Sequence, residues 1–290
     1  MGFPKSFSQF REYVGKSNNK QLWEQIVNWE MEESELSKEV VIDKMDKYWE
    51  VMQKGIKEGL NPEIKSVSGL TGGDGYKLLN SEQVLSGQLS KKSMAYAMAM
   101  AELNASMGKI VATPTAGSCG ILPGVLLAVQ EEYSIKQREI VESIFVASVV
   151  GKIIAHKGTV AGAEGGCQAE CGSASAMAAA AVTYLLGGNI EHIENSVAIS
   201  IKNVMGLVCD PVAGLVEVPC IKRNGYYAST SLIAAQMALA DVSSVINVDE
   251  VIDAMAEVGK MLPEELKETS MGGLANTPTA KRIEKELGGQ

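Results

Sequence analysis

Histidine is almost missing from this chain: His156 and His192 are the two in 290 residues. A cysteine nucleophile wants an imidazole beside it as base, and a zinc finger or ribbon wants imidazoles or a second close cysteine pair, so the composition serves neither well. His192 lies in GGNIEHIEN, which reads as a solvated polar helix face. Basic runs are also scarce. The longest are pairs such as Lys91-Lys92 and Lys222-Arg223, and with a formal net charge of −9 the chain has no footprint for nucleic acid. A bilayer span needs about 20 strongly apolar residues. The most membrane-like stretch, Ala174 to Leu186, is thirteen residues rich in alanine and reads as a buried helix, so no membrane partner is expected. The opening MGFPKSFSQFREYVGKSNN is polar throughout and has no charged-then-apolar signal pattern. The expected setting is cytosolic, with reduced thiols. The Gly-x4-Gly-Lys-Ser/Thr phosphate loop is absent, and no Gly-x-Gly-x-x-Gly follows a plausible strand.

What is present is helix. Hydrophobic residues make up 46% of the sequence, enough for a substantial core. From Lys20 to Glu58 the positions Leu22, Ile26, Trp29, then Val41, Met45, Tyr48, Trp49 and Met52 recur at three and four, the period of an amphipathic helix. Further helical windows follow at 90–107, 121–132, 137–156, 171–186, 190–207, 229–246 and 249–261, rich in alanine, methionine and leucine. The predicted fold is all-α and bundle-like. Pro62 and glycines 69, 72, 73 and 75 break the pattern over 61–80, which predicts a boundary between an N-terminal helical segment, 1–58, and a main unit, 59–290.

Glycine and cysteine collect at four joints between windows: SGLTGGDG (68–75), PTAGSCGILPG (114–124), GAEGGCQAECG (162–172) and CDPVAGLVEVPC (209–220). Glycine-rich loops entering helices expose free N–H groups that suit a small carboxylate. Cys167 and Cys171 are spaced Cys-x3-Cys, one residue longer than the thioredoxin-type redox motif. Cysteines spread over three of these joints leave a soft metal centre as the remaining chemistry, and thiolates favour iron–sulfur clusters. Three ligands instead of four would leave one iron open to polarise a substrate oxygen.

GAEGGCQAECGSASAMAAAA followed by VCDPVAGLVEVPCIKRN, with SGLTGGDG and PTAGSCGILPGV, resembles the α chain of the two-chain, iron–sulfur-dependent L-serine dehydratases of bacteria, over residues 60–280. The resemblance implies conversion of L-serine to pyruvate and ammonia on a [4Fe-4S] cluster held by Cys167, Cys209 and Cys220, with Cys171 and Cys119 outside the ligand set. It also implies a β subunit that supplies part of the active site, and residues 1–58 are then packing or partner-docking elements. The general base is left open among Glu164, Asp74 and His156, while Glu164, Gln168 and Glu170 can equally orient the ligands. The motif match puts the substrate carboxylate on Ser68, Thr71, Gly72, Gly73 and Asp74, or on the loop with Thr115, Gly117 and Ser118. Single-chain relatives tend to carry asparagine where Ala116 stands, so a side-chain contact used there is absent. Three competing readings remain. One is an iron–sulfur L-cysteine desulfidase on the same scaffold. Another is a pyridoxal-phosphate dehydratase, for which no Ser-x-Lys context is found. The third is a non-catalytic helical partner subunit.

Overall fold

Alanine, leucine and methionine favour helix where the apolar period is sustained, and here it is sustained along most of the chain. The structure, a computed structural model, describes residues 2–15 and 22–288. Its helices are α1 (Phe7–Val14), α2 (Leu22–Ser34), α3 (Lys38–Gly59), α4 (Asp74–Leu79), α5 (Gln88–Ala105), α6 (Ile121–Tyr133), α7 (Gln137–Lys157), α8 (Gly162–Gly165), α9 (Ser173–Leu185), α10 (Ile190–Lys202), α11 (Cys220–Leu239), α12 (Val248–Met261) and α13 (Pro278–Glu286). A π-helical turn, Gln168–Gly172, runs directly into α9. Among the described residues there is no β-strand, only an isolated parallel bridge between Cys209 and Lys267, so the expected all-α class holds. Among the same residues no helix is long and apolar enough to cross a membrane.

The alanine-rich window occupies the centre. Every residue of α9 from Ser173 to Thr183 is buried, and α6, α7, α10 and α11 pack around it. A helix without a polar face has to be enclosed in this way. The first three helices join the same core through Phe7, Phe10, Trp29 and Trp49. The entry to α1 is fixed by a distant carboxylate: Phe7 N and Ser8 N each donate to Asp249 on α12, at 2.9 Å.

Three expectations of the sequence are corrected. The helical run over 20–58 is two helices, because Glu35 adopts a left-handed backbone (φ 58) and Ser37 caps α3 through Val40 N. The break over 61–80 contains a short helix, α4, whose Asp74 and Gly75 amides donate to the buried Glu102 carboxylate at 2.8 and 3.1 Å. His192 is not simply solvated surface: its Nδ1 accepts from Asn189 N at 3.1 Å, and the residue helps to cap α10.

The joint at 114–124 is locked by a glycine. A Cβ built on Gly120 would lie 2.0 Å from the Ala97 carbonyl oxygen of α5, and the Gly120 amide donates to Asn224 Oδ1 at 2.9 Å. Gly120→Ala is therefore expected to cost at least about 1–3 kcal/mol from overpacking. A thermal melt checks this, and an unchanged midpoint would mean that α5 and α6 can separate without loss.

Candidate functional site

Cys167 stands at the start of the π-helical turn, Cys209 in the extended segment after α10, and Cys220 is the first residue of α11. All three are buried, at 2%, 3% and 7% exposure, and their thiols are free. Cys209 and Cys220 both lie within electrostatic reach of Cys167 and of Glu170. Gly162 leaves the space for this convergence: a Cβ there would stand 3.1 Å from Cys209 Sγ and 3.4 Å from Glu170 Oε2. Cys171 touches one member of the group, its Sγ 3.3 Å from Cys167 Sγ.

The segments carrying the thiols are fixed by buried amides. Gln168, fully buried, accepts from Gly206 N at 2.8 Å and donates to Met255 O at 3.0 Å, which holds the Cys167 turn between the end of α10 and α12. Asn224, also fully buried, donates to Gly117 O at 2.7 Å and Cys220 O at 3.0 Å while accepting from Gly120 N. One side chain thus ties the 114–124 loop to the start of α11. Cys209 is held on its other side by its amide to Leu266 O, 2.9 Å, and by Glu268 N to its carbonyl, 2.8 Å.

One cation governs the local charge. Arg223 donates to Val208 O at 3.0 Å and to Asp210 Oδ1 at 2.8 Å, embracing Cys209 from both neighbours. The Cys171 thiol pulls Cys167 below the ordinary thiol range and Arg223 adds to this, against the opposing effect of burial. Burial pushes Cys220 up to about 12 and Cys209 also upward. Burial likewise raises Glu170, opposed by its hydrogen bond from Thr115 and by Arg223. Buried thiols keep their protons unless a positive centre takes the charge, which is what a soft metal does.

The residues singled out in the sequence separate into groups. Thr115 Oγ1 donates to Glu170 Oε1 and lies 3.0 Å from Ser118 Oγ, and a Cβ on Gly117 would meet Glu170 at 2.6 Å, so this loop faces the thiols. Ser68 and Thr71 instead donate to Glu217. Gly72 and Gly73 pass close to the carbonyls of Ile64 and Pro62. Asp74 is paired with Lys222 at 2.7 Å and Lys77 at 3.0 Å; partial burial raises its pKa, but those two cations outweigh it and hold the carboxyl below its ordinary range. Glu164 and His156 are exposed. Glu164 lines a separate cavity of about 280 Å³ with Lys157, Thr159 and Lys260. Cys119 is fully buried, and its thiol is pushed up to about 12 by that burial.

Arg223, Asn224, Asp210 and Glu217 are the participants that sequence reasoning passed over. A helix starting at Cys220 would have placed Arg223 and Asn224 on its face at i+3 and i+4, the one signal available.

The family model described as serine dehydratase alpha chain matches residues 17–275. A protein of Bacillus subtilis (strain 168) named a probable L-serine dehydratase, alpha chain, is 46% identical over 98% of this chain and 96% of its own length. The L-serine dehydratase, alpha chain, of Peptoniphilus asaccharolyticus is 41% identical over 96% of this chain and 97% of its own. The match to L-serine dehydratase TdcG of Escherichia coli (strain K12), at 38% identity, covers 78% of this chain but 52% of that longer one. Matched nearly end to end by these alpha chains and over most of its length by the family model, this chain belongs to the serine dehydratase alpha-chain family.

Proposed function

We propose that this chain is the α chain of an L-serine dehydratase, converting L-serine to pyruvate and ammonia together with a β chain, with a [4Fe-4S] cluster held by Cys167, Cys209 and Cys220. The observation that carries this reading is the convergence of three buried thiols from three separate segments beside one partly buried arginine. The donor set suits the cluster: it is all sulfur, enclosed and unoxidised. Among the described residues no three histidine, cysteine or acidic side chains close on a single ion. A cubane does not need that, since each thiolate binds a different iron. The alpha-chain names of the relatives support a second chain.

When bound, such a cluster with one open iron supplies Lewis acidity to a departing hydroxyl. The chain's own residues do the rest. Arg223 balances thiolate charge, while Gln168 and Asn224 hold the ligand-bearing turns at fixed spacing. Of the acidic side chains near the thiols, Glu170 is the one whose carboxyl is raised by burial and aligned by Thr115, which suits it to exchange a proton with substrate in preference to Glu164, Asp74 or His156.

The test is co-expression with the β chain and anaerobic purification. L-serine should then yield equal pyruvate and ammonia, with about four irons per α chain. Activity should fall in air and return with ferrous iron and a reductant. Full turnover after prolonged aeration and iron removal would defeat the reading.

A further inference from the structure

Glu217 lies in the loop joining Cys209 to Cys220 and is 4% exposed. A carboxylate that deep ordinarily faces a cation or a full set of donors. This one forms no ion pair among the described residues. Its Oε2 accepts from Ser68 Oγ at 2.6 Å and Thr71 Oγ1 at 3.3 Å, and among those residues no donor reaches Oε1. Oε1 is not among the fully enclosed side-chain polar atoms that lack a partner, which among the described residues are Trp49 Nε1 and Ser173 Oγ. The two cations that follow in sequence are spent elsewhere, Lys222 on Asp74 and Arg223 on Asp210. Glu217 is therefore a carboxylate braced on one oxygen by two neutral hydroxyls, with its other oxygen unpartnered and not fully enclosed.

We propose that Glu217 receives the α-ammonium of the amino-acid substrate, with Ser68 and Thr71 as the positioning residues that fix its carboxylate. The proposal rests on the serine dehydratase reading above and gives that site its selectivity for an amino acid over a hydroxy acid. The ammonium supplies the missing cation and a donor for the oxygen that has none. It also changes the meaning of SGLTGGDG: the loop's hydroxyls serve the carboxylate that binds the amine, and the Asp74 and Gly75 amides are already taken by Glu102.

The experiment uses the anaerobic two-chain enzyme with iron content measured in every sample. Glu217→Gln keeps the shape and removes the charge. The KM for L-serine should rise by roughly 10- to 100-fold, the range for losing a charge-assisted hydrogen bond. The inhibition constant of 3-hydroxypropanoate, which is serine without its amino group, should stay as it was. Weakening of both in parallel, or of neither, would overturn the assignment. Should E217Q not fold, Ser68→Ala carries the same comparison with a smaller shift: weaker serine with unchanged 3-hydroxypropanoate supports the proposal, and a parallel change overturns it. A wild-type enzyme that does not turn over L-serine sinks the parent reading, whereas an active wild type with a parallel loss sinks Glu217 alone.

Discussion

Cys209→Ser enzyme, prepared without oxygen alongside the β chain, is expected to retain little iron and to lose serine turnover by well over 100-fold. The magnitude follows from a comparison of shells. Residues that merely orient a metal ligand cost about 10–100-fold when mutated, and loss of a ligand removes more. Serine at Cys209 would keep the local backbone, since the Cys209 amide bonds to Leu266 O and its carbonyl to Glu268 N without using the thiol. Loss of iron with an unchanged thermal midpoint of the apo chain would therefore isolate the thiol's role. Cys171→Ser is the informative partner experiment. Its sulfur is in contact with Cys167 at 3.3 Å, and that neighbour together with burial holds its proton on. It is expected to keep the iron content of wild type, while Cys167→Ser loses it. Equal iron loss in the two variants would exchange or enlarge the ligand set, and full iron in Cys209→Ser would exclude that residue from it.

The long helices and the thiols were legible in the sequence for separate physical reasons. α5, α6, α7 and α12 have sustained apolar periods and strong helix formers, so local preference and tertiary packing agree. Where tertiary contact sets the backbone, the reading slipped. α11 starts at Cys220, nine residues before the expected 229, because the stretch contains Gly225, a poor helix former whose bare backbone lets Met98 pack within 2.8 Å of where a Cβ would sit. The π-helical turn at 168–172 has no compositional mark either, since the extra residue is imposed by anchoring Gln168 to Gly206 and Met255. In the site, cysteines announce themselves by their rarity, whereas Arg223 read only as half of a basic pair. Its role depends on Asp210 and Val208 arriving from across a loop, and no local pattern encodes that arrival. Glu217 was silent for the same reason: 149 residues separate it from Ser68.

Arg223→Met is expected to be the most destabilising single change near the site, by about 3–5 kcal/mol, because it leaves the Asp210 carboxylate buried without its cation. Asp210 is 3% exposed, and its remaining support is the Leu274 amide at 2.7 Å on Oδ2. For a chain of this size a loss of that order lowers the melting midpoint by roughly 10 °C. Lysine is a poor replacement: a single ammonium cannot reproduce the fork that reaches Val208 O and Asp210 Oδ1 together, so Arg223→Lys should fall between methionine and wild type. The double variant Arg223→Met with Asp210→Asn separates two roles. Neutralising Asp210 removes the stranded charge and should recover much of the lost stability. Iron retention should not recover with it, because Arg223 also draws Cys167 toward its thiolate, an effect that Asp210 does not supply. If the double variant regains both stability and iron, Arg223 acts only by holding Asp210. If Arg223→Met alone melts within about 2 °C of wild type, less than 1 kcal/mol by the same scaling, the Arg223–Asp210 pair contributes little to folding.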